Sequence, residues 1–385
     1  MIKFLRYCDK KLLLYSLILF AWGLVMIYSA SNVTAYMNEA SPGRYFMKEL
    51  LFLGLGLIIS FIICKFHTKS YSFLSWVITF ILAGIIACLA LYGTAVNGAY
   101  NWIGYNGFGI QPSEFIKVSI IVLLATYYEK NIKDNDDIKK MLFPYLFVFL
   151  IFGFIVLQKD YGTALIFLCV TIFIFFISPV SPRIKKIVFG VGSALVILFL
   201  GAVLIFQDKL IPMDKLQRFD YFDPCSKYLT TGNQLCNGYI AINGGGLLGK
   251  GLGNSTQKYL YLPEAHTDFI FAILVEELGI VGGIALFVLY FLLLVRIVAI
   301  GKKAKKESHK MICYGIVFFI FLHIAVNIGG VLGLIPITGV PLPFISYGGS
   351  ICWSLLISLA IVQRIAYETN KSLAVKTPSK VKARA

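Results

Sequence analysis

The stretch SFLSWVITFILAGIIACLALY, residues 72–92, contains no charged side chain. A helix needs about 20 apolar residues to cross a hydrocarbon core about 30 Å thick, because it rises about 1.5 Å per residue. The stretch therefore predicts a transmembrane helix, and the repetition of such stretches decides the fold class.

The whole chain has the composition of a membrane protein. Charged residues make up 14% of it, against about 25% in soluble domains, and mean hydropathy is +0.81. The sequence predicts an all-α polytopic membrane protein with ten transmembrane helices in a single integral membrane domain, residues 1–385. The apolar runs are 11–30, 48–66, 72–92, 110–128, 141–157, 161–178, 186–206, 267–295, 311–335 and 345–366.

Lysine and arginine residues predict the orientation, because positive residues are kept on the cytoplasmic side. With both termini cytoplasmic, 25 of the 35 Lys and Arg residues fall in cytoplasmic segments, including a basic tail at 367–385. The net charge of +16 is therefore interpreted mainly as a topology signal. Nucleic-acid binding is not expected, since it would need those charges on one soluble face.

This topology places a large extracytoplasmic loop, residues 207–266, between helices 7 and 8. Two shorter outer loops, 93–109 and 336–344, carry no charge and are rich in Gly, Pro and aromatic residues. Such loops can lie against the bilayer or fold back into a protein cavity. The large loop also contains Cys225 and Cys236, which could form a disulfide or remain free thiols.

One ion pair is predicted inside the fourth span. The run QPSEFIK, residues 111–117, places proline at a helix start, where its missing N–H costs nothing. Glu114 and Lys117 then share one helix face, about 6 to 11 Å below its outer end. Two interpretations stay open: a self-neutralising structural pair, and a pair lining a polar cavity open to the outer leaflet.

Three ionisable residues, Glu264, His266 and Asp268, lie at the outer end of the eighth span. Asp268 fits a helix-capping residue or a general base, whose ionised form the helix dipole favours. Residue chemistry alone leaves Asp268 and His266 as equal candidates for the base, with Glu264 as another. Deeper in the same helix, Glu276 rather than Glu277 is predicted to face the cavity of Asp268.

The glycine-rich stretch NGGGLLGKG, residues 243–251, is similar to two nucleotide-binding motifs. It contains G-x-G-x-x-G and also G-x-x-x-x-G-K, but Gly251 stands where a P-loop has Ser or Thr for Mg²⁺. The stretch is also predicted to lie on the side of the membrane without ATP. We interpret it as a flexible or tightly packed outer loop whose N–H groups could meet a phosphate.

Four ordered motifs run across nearly the whole chain. They are Trp102-Ile103 with QPSEFIK at 111–117, QKDYGTA at 158–164, LPEAHTDFIF at 262–271 and TGVPLPFISYGGS at 338–350. These motifs resemble those of the SEDS family, the shape, elongation, division and sporulation proteins. The run 252–258 is more similar to the division members of the family than to its elongation members.

The resemblance implies a peptidoglycan glycosyltransferase that polymerises lipid II into β-1,4 glycan strands at the outer face of the bacterial cytoplasmic membrane during cell division. It implies a class B penicillin-binding transpeptidase and other division membrane proteins as partners, and a location at the division septum. Lipid II and membrane lipids are the other expected partners. An α-linked pyrophosphate donor and a β-linked product require inversion, with one carboxylate as base and positive charge at the leaving group.

The resemblance also assigns residues. Asp268 falls on the family's essential acidic residue, which favours it over His266 as the catalytic base. Lys117 is the preferred cation for the pyrophosphate, with Lys159, Lys258 and Arg218 behind it. The implied substrate-binding residues are Trp102, Gln111, Glu114, Lys117, Lys159, Asp160, Lys258, His266 and Ser346.

Two departures from the family pattern could move phosphate contacts between residues. Asn101 stands where the family often has Arg, and Lys159 replaces the proline of a Gln-Pro-Asp motif. A divalent cation, Mg²⁺ or Mn²⁺, stays open as a cofactor, although no ligand cluster in the sequence demands one.

Two other classes of function stay open. A lipid flippase or transporter would also place an ion pair and acidic residues within a helix bundle, but accessible from both faces. A non-catalytic division scaffold would tolerate neutral replacements at Asp268, Glu114 and Lys117.

Overall fold

The computed structural model describes residues 7–37, 39–94, 98–105, 108–205, 223–228, 232–259 and 261–382. These residues are mostly helical, with one short antiparallel hairpin, β1 (Ile103–Tyr105) and β2 (Phe108–Ile110). The helices are α1 (Lys10–Met37), α2 (Arg44–Lys65), α3 (Tyr71–Tyr92), α4 (Pro112–Lys130), α5 (Ile138–Leu157), α6 (Tyr161–Ile177), α7 (Pro182–Ile205), α8 (Asn233–Gly245), α9 (Ile270–Lys303), α10 (Glu307–Val331) and α11 (Gly349–Lys382).

Each of the ten predicted apolar runs overlaps one long helix. In the described part of the chain, seven helices are long and apolar enough to cross a membrane: α1, α3 with the turn before it, α2, α5, α9, α10 and α11. The protein is therefore a multi-pass helical membrane protein. The remaining predicted spans coincide with α4, α6 and α7. Helix α4 carries a buried ion pair, which lowers its apolar content, and α6 is short, with 17 residues.

Hydrogen bonds join several distant segments at one end of the bundle. At one end, Arg296 of α9 binds the Asp9 carboxylate, and Gln363 of α11 exchanges two hydrogen bonds with the Asp9 backbone. At the same end, Glu368 accepts a hydrogen bond of 2.6 Å from Thr68. The segments that hold Asp9, Thr68, Arg296 and Glu368 therefore lie at one end of the bundle.

Polar side chains decide which helices lie inside the bundle. α4 packs against α3, α6 and α10, and 15 of its 19 residues are buried. In α2 the most apolar window is only 22% buried, whereas in α11 that share is 89%. A lipid-facing helix must be apolar, while an enclosed helix can carry charge, so α4 with Glu114 and Lys117 is surrounded by protein.

Two connections that were predicted to be outer loops differ from the simple loops that an all-α chain with ten spans suggests. The 93–109 connection contains the β1–β2 hairpin, and the long 207–266 connection contains α8. A disulfide joins Cys225 to Cys236 of α8, which resolves the alternative between a bond and two free thiols. Helix α8 packs on α9, which buries Leu235 and Ala241, while Ile240 stays exposed. Arg218 lies outside the described residues.

Helix α9 is interrupted where the glycine-rich stretch packs against it. Gly279 has φ of 72° and ψ of −178°, a conformation that only glycine adopts readily. The freed backbone groups bind the neighbouring stretch: Lys250 N donates to Glu276 O at 2.9 Å, and Ile280 N donates to Gly246 O at 3.0 Å. The stretch is thus tightly packed rather than flexible, because it supplies hydrogen bonds that the broken helix lacks.

The Gly279→Ala substitution is expected to destabilise the protein by at least about 1–3 kcal/mol, because alanine strains this backbone conformation. A Cβ at this position would also lie 2.2 Å from the Leu247 carbonyl oxygen. Thermal unfolding in detergent checks this. Gly54→Ala in α2 is the matched control, since no atom lies within 4 Å of its added Cβ. An unchanged melting temperature for Gly279→Ala would contradict the close packing of the glycine-rich stretch against α9.

Candidate active site

Asp268 lies immediately before α9, on a turn built by its neighbours. Phe269 is the N-cap residue of α9 and no side chain caps it, so the capping interpretation of Asp268 is wrong. The Thr267 hydroxyl lies 2.6 Å from Glu264 Oε2 and 3.2 Å from Asp268 Oδ1. Two carboxylates thus share one hydroxyl, with Glu264 exposed and Asp268 only 9% exposed.

Burial gives Asp268 the acid–base behaviour of a general base. Burial first, and then the nearby Glu264 charge, raise the pKa of the Asp268 carboxyl from 3.8 to about 7. A base with a pKa near the working pH is both ionised and basic enough to accept a proton. Burial lowers the pKa of His266, so its imidazole is neutral at pH 7.

The 338–347 segment holds this turn in place. Asn327 of α10 donates from Nδ2 to the Asp268 carbonyl at 2.7 Å and to the Val340 carbonyl at 2.8 Å. Ser346 Oγ donates to the Thr267 carbonyl at 2.5 Å, and Tyr347 N donates to the His266 carbonyl at 3.0 Å. Ser346, predicted to contact substrate, is therefore buried between two backbone segments and positions them.

A second carboxylate, Asp160, lies at the start of α6. Its Oδ1 caps the helix through Thr163 N at 3.1 Å. Its Oδ2 accepts from Asn101 Nδ2 at 2.6 Å and from Gln111 Nε2 at 2.7 Å. Asn101 and Gln111 therefore orient Asp160. Gln111, predicted to bind substrate, has its amide nitrogen engaged here.

Lys159 and Trp102 are the exposed members of this second group. Lys159 has a left-handed φ of 63°, and its Nζ lies 5.5 Å from the centre of the Tyr100 ring. Trp102 is 36% exposed and packs against Gly109, where an added Cβ would lie 2.9 Å from its ring. The structure thus leaves a cation and an aromatic surface accessible beside Asp160.

The 338–347 segment connects the two groups. Gly162, two residues after Asp160, lies where an added Cβ would be 3.0 Å from the Thr338 carbonyl oxygen. Two residues further along, the Val340 carbonyl shares the Asn327 amide with Asp268. The 338–347 segment therefore contacts both the start of α6, with Asp160, and the turn before α9, with Asp268. We call the surface formed by these two groups and this segment the rim. Its two carboxylates are separated by more than a hundred residues in sequence.

The predicted Glu114–Lys117 pair is present and fully enclosed. Lys117 Nζ donates to Glu114 Oε1 at 2.6 Å and lies 2.9 Å from His323 Nε2. The Phe319 ring lies beneath the ammonium, 5.6 Å from centroid to Nζ. Lys117 has no solvent exposure, so the structure favours the self-neutralising interpretation over an open phosphate contact.

Lys258 and the two α9 glutamates differ from their predicted places. Glu276 does not face Asp268: Lys250 Nζ donates to its Oε1 at 2.6 Å and Ser255 Oγ to its Oε2 at 2.5 Å. Lys258 Nζ donates to Glu277 Oε1 at 3.0 Å and to the Gly253 carbonyl at 2.6 Å, with no exposure of its side chain. Lys258 is thus enclosed by protein partners and fixes the 250–258 segment, which gives it no phosphate contact here.

Sequence reasoning missed several residues around the Asp268 turn. The Tyr45 ring of α2 lies 4.7 Å from the His266 ring and 5.2 Å from the Tyr347 ring, centroid to centroid. Arg44, exposed at the start of α2, is close enough to act on the Tyr347 hydroxyl by its charge. Asn327, which binds the Asp268 turn, and His323, which contacts Lys117, are polar residues within an apolar span. Polar residues in such a span indicate a functional or structural role, so the sequence could have identified both.

No group of three His, Cys, Asp or Glu side chains suited to a metal occurs among the residues that the structure describes. The Asp160 carboxylate is held by amide donors, and the Asp268 carboxylate lies beside the Thr267 hydroxyl.

Comparison with known proteins agrees with this architecture. The family model for FtsW, RodA and SpoVE, described as "Cell cycle protein", matches residues 10–371. The chain belongs to this family, the SEDS proteins. The resemblance drawn from the motifs is confirmed, as is the greater similarity to the division members.

Several family members align along nearly their whole length. The probable peptidoglycan glycosyltransferase FtsW of Bacillus subtilis is 36% identical over 380 residues, covering 96% of this chain and 94% of that protein. Stage V sporulation protein E of the same organism is 36% identical, covering 93% and 96%. The probable peptidoglycan glycosyltransferase FtsW of Coxiella burnetii is 34% identical, covering 94% and 96%.

Two solved structures share the SEDS fold. A chain from a peptidoglycan synthase complex, studied for its coordination of polymerization and crosslinking, has a TM-score of 0.74, with 24% identity and 94% and 98% coverage of the two chains. The rod shape determining protein RodA of Thermus thermophilus has a TM-score of 0.66, with 24% identity and 93% and 96% coverage.

Proposed function

We propose that this SEDS protein is a peptidoglycan glycosyltransferase that polymerises lipid II into β-1,4 glycan strands, with Asp268 as general base. The observation that carries the proposal is the buried Asp268 carboxylate, whose pKa is raised to about 7 at the start of a membrane-spanning helix. The FtsW relatives, whose names give this activity, support it.

The position of Asp268 suits a substrate with a lipid tail and a sugar head. The polyprenyl tail lies between helices, so the reacting atoms come to the membrane boundary. Asp268 accepts the proton of the acceptor 4-hydroxyl while the anomeric carbon inverts and the pyrophosphate departs. His266 is neutral and in contact with Tyr45. In this proposal it lies beside the acceptor sugar at the Asp268 turn.

The exposed groups of the rim serve the donor. Lys159 and Arg44 are exposed cations, and positive charge beside a departing pyrophosphate stabilises the transition state. Trp102 offers a ring face to a sugar. Lys117 and Lys258, whose charges are neutralised by glutamates, act instead by fixing α4 and the 250–258 segment.

The proposal includes a ten-span topology for the single domain 1–385. Both termini and the tail 367–385 lie in the cytoplasm, and the 207–266 connection lies outside. The grouping of basic connections at one end of the bundle supports this orientation. The rim with Asp268 then faces the outer leaflet, where the lipid-linked substrate is polymerised.

A class B penicillin-binding transpeptidase and other division membrane proteins are the proposed partners, at the division septum of the bacterial cytoplasmic membrane. The shared fold with a chain of a peptidoglycan synthase complex supports the first of these. The FtsW names of several relatives support a role in division.

Fluorescent lipid II incubated with the purified protein and its transpeptidase tests the proposal. The transpeptidase serine is blocked by a β-lactam, so that only glycan polymerisation is measured. We expect glycan ladders on gels, which lysozyme digests. Absence of polymer from a folded, partner-bound preparation would reject the proposal.

Lipid transport is the second candidate function, because the buried Glu114–Lys117–His323 network resembles the intramembrane polar groups of transporters. Reconstituted vesicles with fluorescent lipid II on one leaflet separate the two functions. Transfer between leaflets without polymer would favour transport, and polymer without transfer would favour the glycosyltransferase.

A further inference from the structure

An apolar groove lies between α5, α6 and α7, and none of its lining residues belongs to the Asp268 turn or to α9. Its walls come from the first half of α5, the last part of α6 and the beginning of α7, and it encloses about 980 Å³. Its lining includes Ile138, Tyr145 and Phe149 of α5, Phe175 of α6 and Val191 of α7. Tyr145, a polar residue of the lining, donates its hydroxyl to the Thr171 carbonyl at 2.6 Å. The groove therefore offers a ligand almost nothing but apolar surface.

The groove has the length of one bilayer leaflet. Its lining runs along α5 from Ile138 to Phe149, which is about 17 Å at 1.5 Å per residue. Half of a hydrocarbon core about 30 Å thick is about 15 Å. The groove thus extends from one membrane surface to about the bilayer centre, as an acyl chain does.

Cations stand at the surface end of this groove. Lys139 directly follows the lining residue Ile138, and Lys186 directly precedes the lining residue Ile187. Both lysines and Arg183 are exposed. Lys140, also at this end, is paired with Asp134 at 3.0 Å, and Asp136 and Asp137 are two further exposed carboxylates there. Basic pockets between membrane helices on the cytoplasmic side suit anionic lipid headgroups.

We propose that an anionic phospholipid binds this groove, with its acyl chains between α5, α6 and α7 and its headgroup against Lys186, Arg183 and Lys139. The apolar lining, the length of one leaflet and the adjacent cations each match one part of such a lipid. The site is separate from the Asp268 rim, and its occupancy does not depend on the proposed glycosyltransferase activity.

Native mass spectrometry of the detergent-purified protein titrated with phosphatidylglycerol or phosphatidylcholine tests the site. We expect tight binding of one phosphatidylglycerol and weaker binding of phosphatidylcholine. Arg183→Gln with Lys186→Gln should weaken phosphatidylglycerol binding about 30-fold, since each cation contributes about 1 kcal/mol to an anionic lipid. Lys69→Gln with Lys302→Gln, two exposed cations away from the groove, is the matched control and should leave binding unchanged.

A second variant tests the apolar part without changing charge. Val191→Trp is expected to fill the groove and reduce phosphatidylglycerol binding, while far-UV circular dichroism stays unchanged. Equal binding of both phospholipids, equal loss in the control pair, or displacement of phosphatidylglycerol by undecaprenyl phosphate at equimolar amounts would overturn the proposal. The last result would indicate a polyprenyl site instead.

Discussion

Asp268→Asn is expected to lower the rate of lipid II polymerisation by about 10²–10⁴-fold, the usual contribution of a general base. The substitution keeps the shape of the side chain and removes the group that accepts the acceptor proton. The measurement is the initial rate of glycan formation by the complex with its transpeptidase. Unchanged polymerisation by the variant would remove Asp268 from the proposed mechanism.

The same variant separates catalysis from folding. A carboxyl whose pKa is raised from 3.8 to about 7 makes the folded state less stable at pH 8 than the neutral form would. Asp268→Asn should therefore melt at an equal or higher temperature than the wild type at pH 8, and the advantage should shrink as the pH falls toward 4. A lower melting temperature at pH 8 would indicate that the lost activity comes from lost structure.

Lys117→Met is expected to destabilise the protein by about 3–5 kcal/mol, because it leaves the buried Glu114 carboxylate without its cation. Glu114→Gln should also destabilise, since it leaves the Lys117 ammonium buried without a counter-charge. The measurement is unfolding in mixed micelles of increasing denaturant fraction.

The double variant Glu114→Leu with Lys117→Met is the control for this pair. Replacing both charges with apolar groups of similar volume is often neutral or stabilising, so it should recover most of the lost stability. If both single variants were as stable as the wild type, the pair would not be buried as described. If the double variant were stable but inactive, the pair would have a role in the reaction beyond folding.

The sequence predicted the helices well because the bilayer constrains them strongly. A run such as 72–92 has one stable form in hydrocarbon, and the structure places α3 at Tyr71–Tyr92. The Glu114–Lys117 pair was also predictable, since helical spacing brings residues three positions apart together. The motif at 262–271 also located the Asp268 turn, which the structure places before α9.

Long-range pairing could not be read in the same way. Glu276 was expected to face Asp268 from the angle between them on a continuous helix, but Asp268 lies on a turn before α9, which begins only at Ile270. The partners of Lys258 and Ser346 lie on segments that the sequence does not connect to them. Their enclosure follows from packing against α1, α9 and the turn before α9, which spacing along one helix does not encode.

The pH dependence of lipid II polymerisation by the wild-type complex tests the central claim most directly. A base with a pKa of about 7 loses its active, ionised form as the pH falls. The rate at low substrate should therefore be half-maximal near pH 7 and fall about tenfold per pH unit below it. A rate that stays constant down to pH 5, as an ordinary aspartate would allow, would contradict a buried Asp268 as the base.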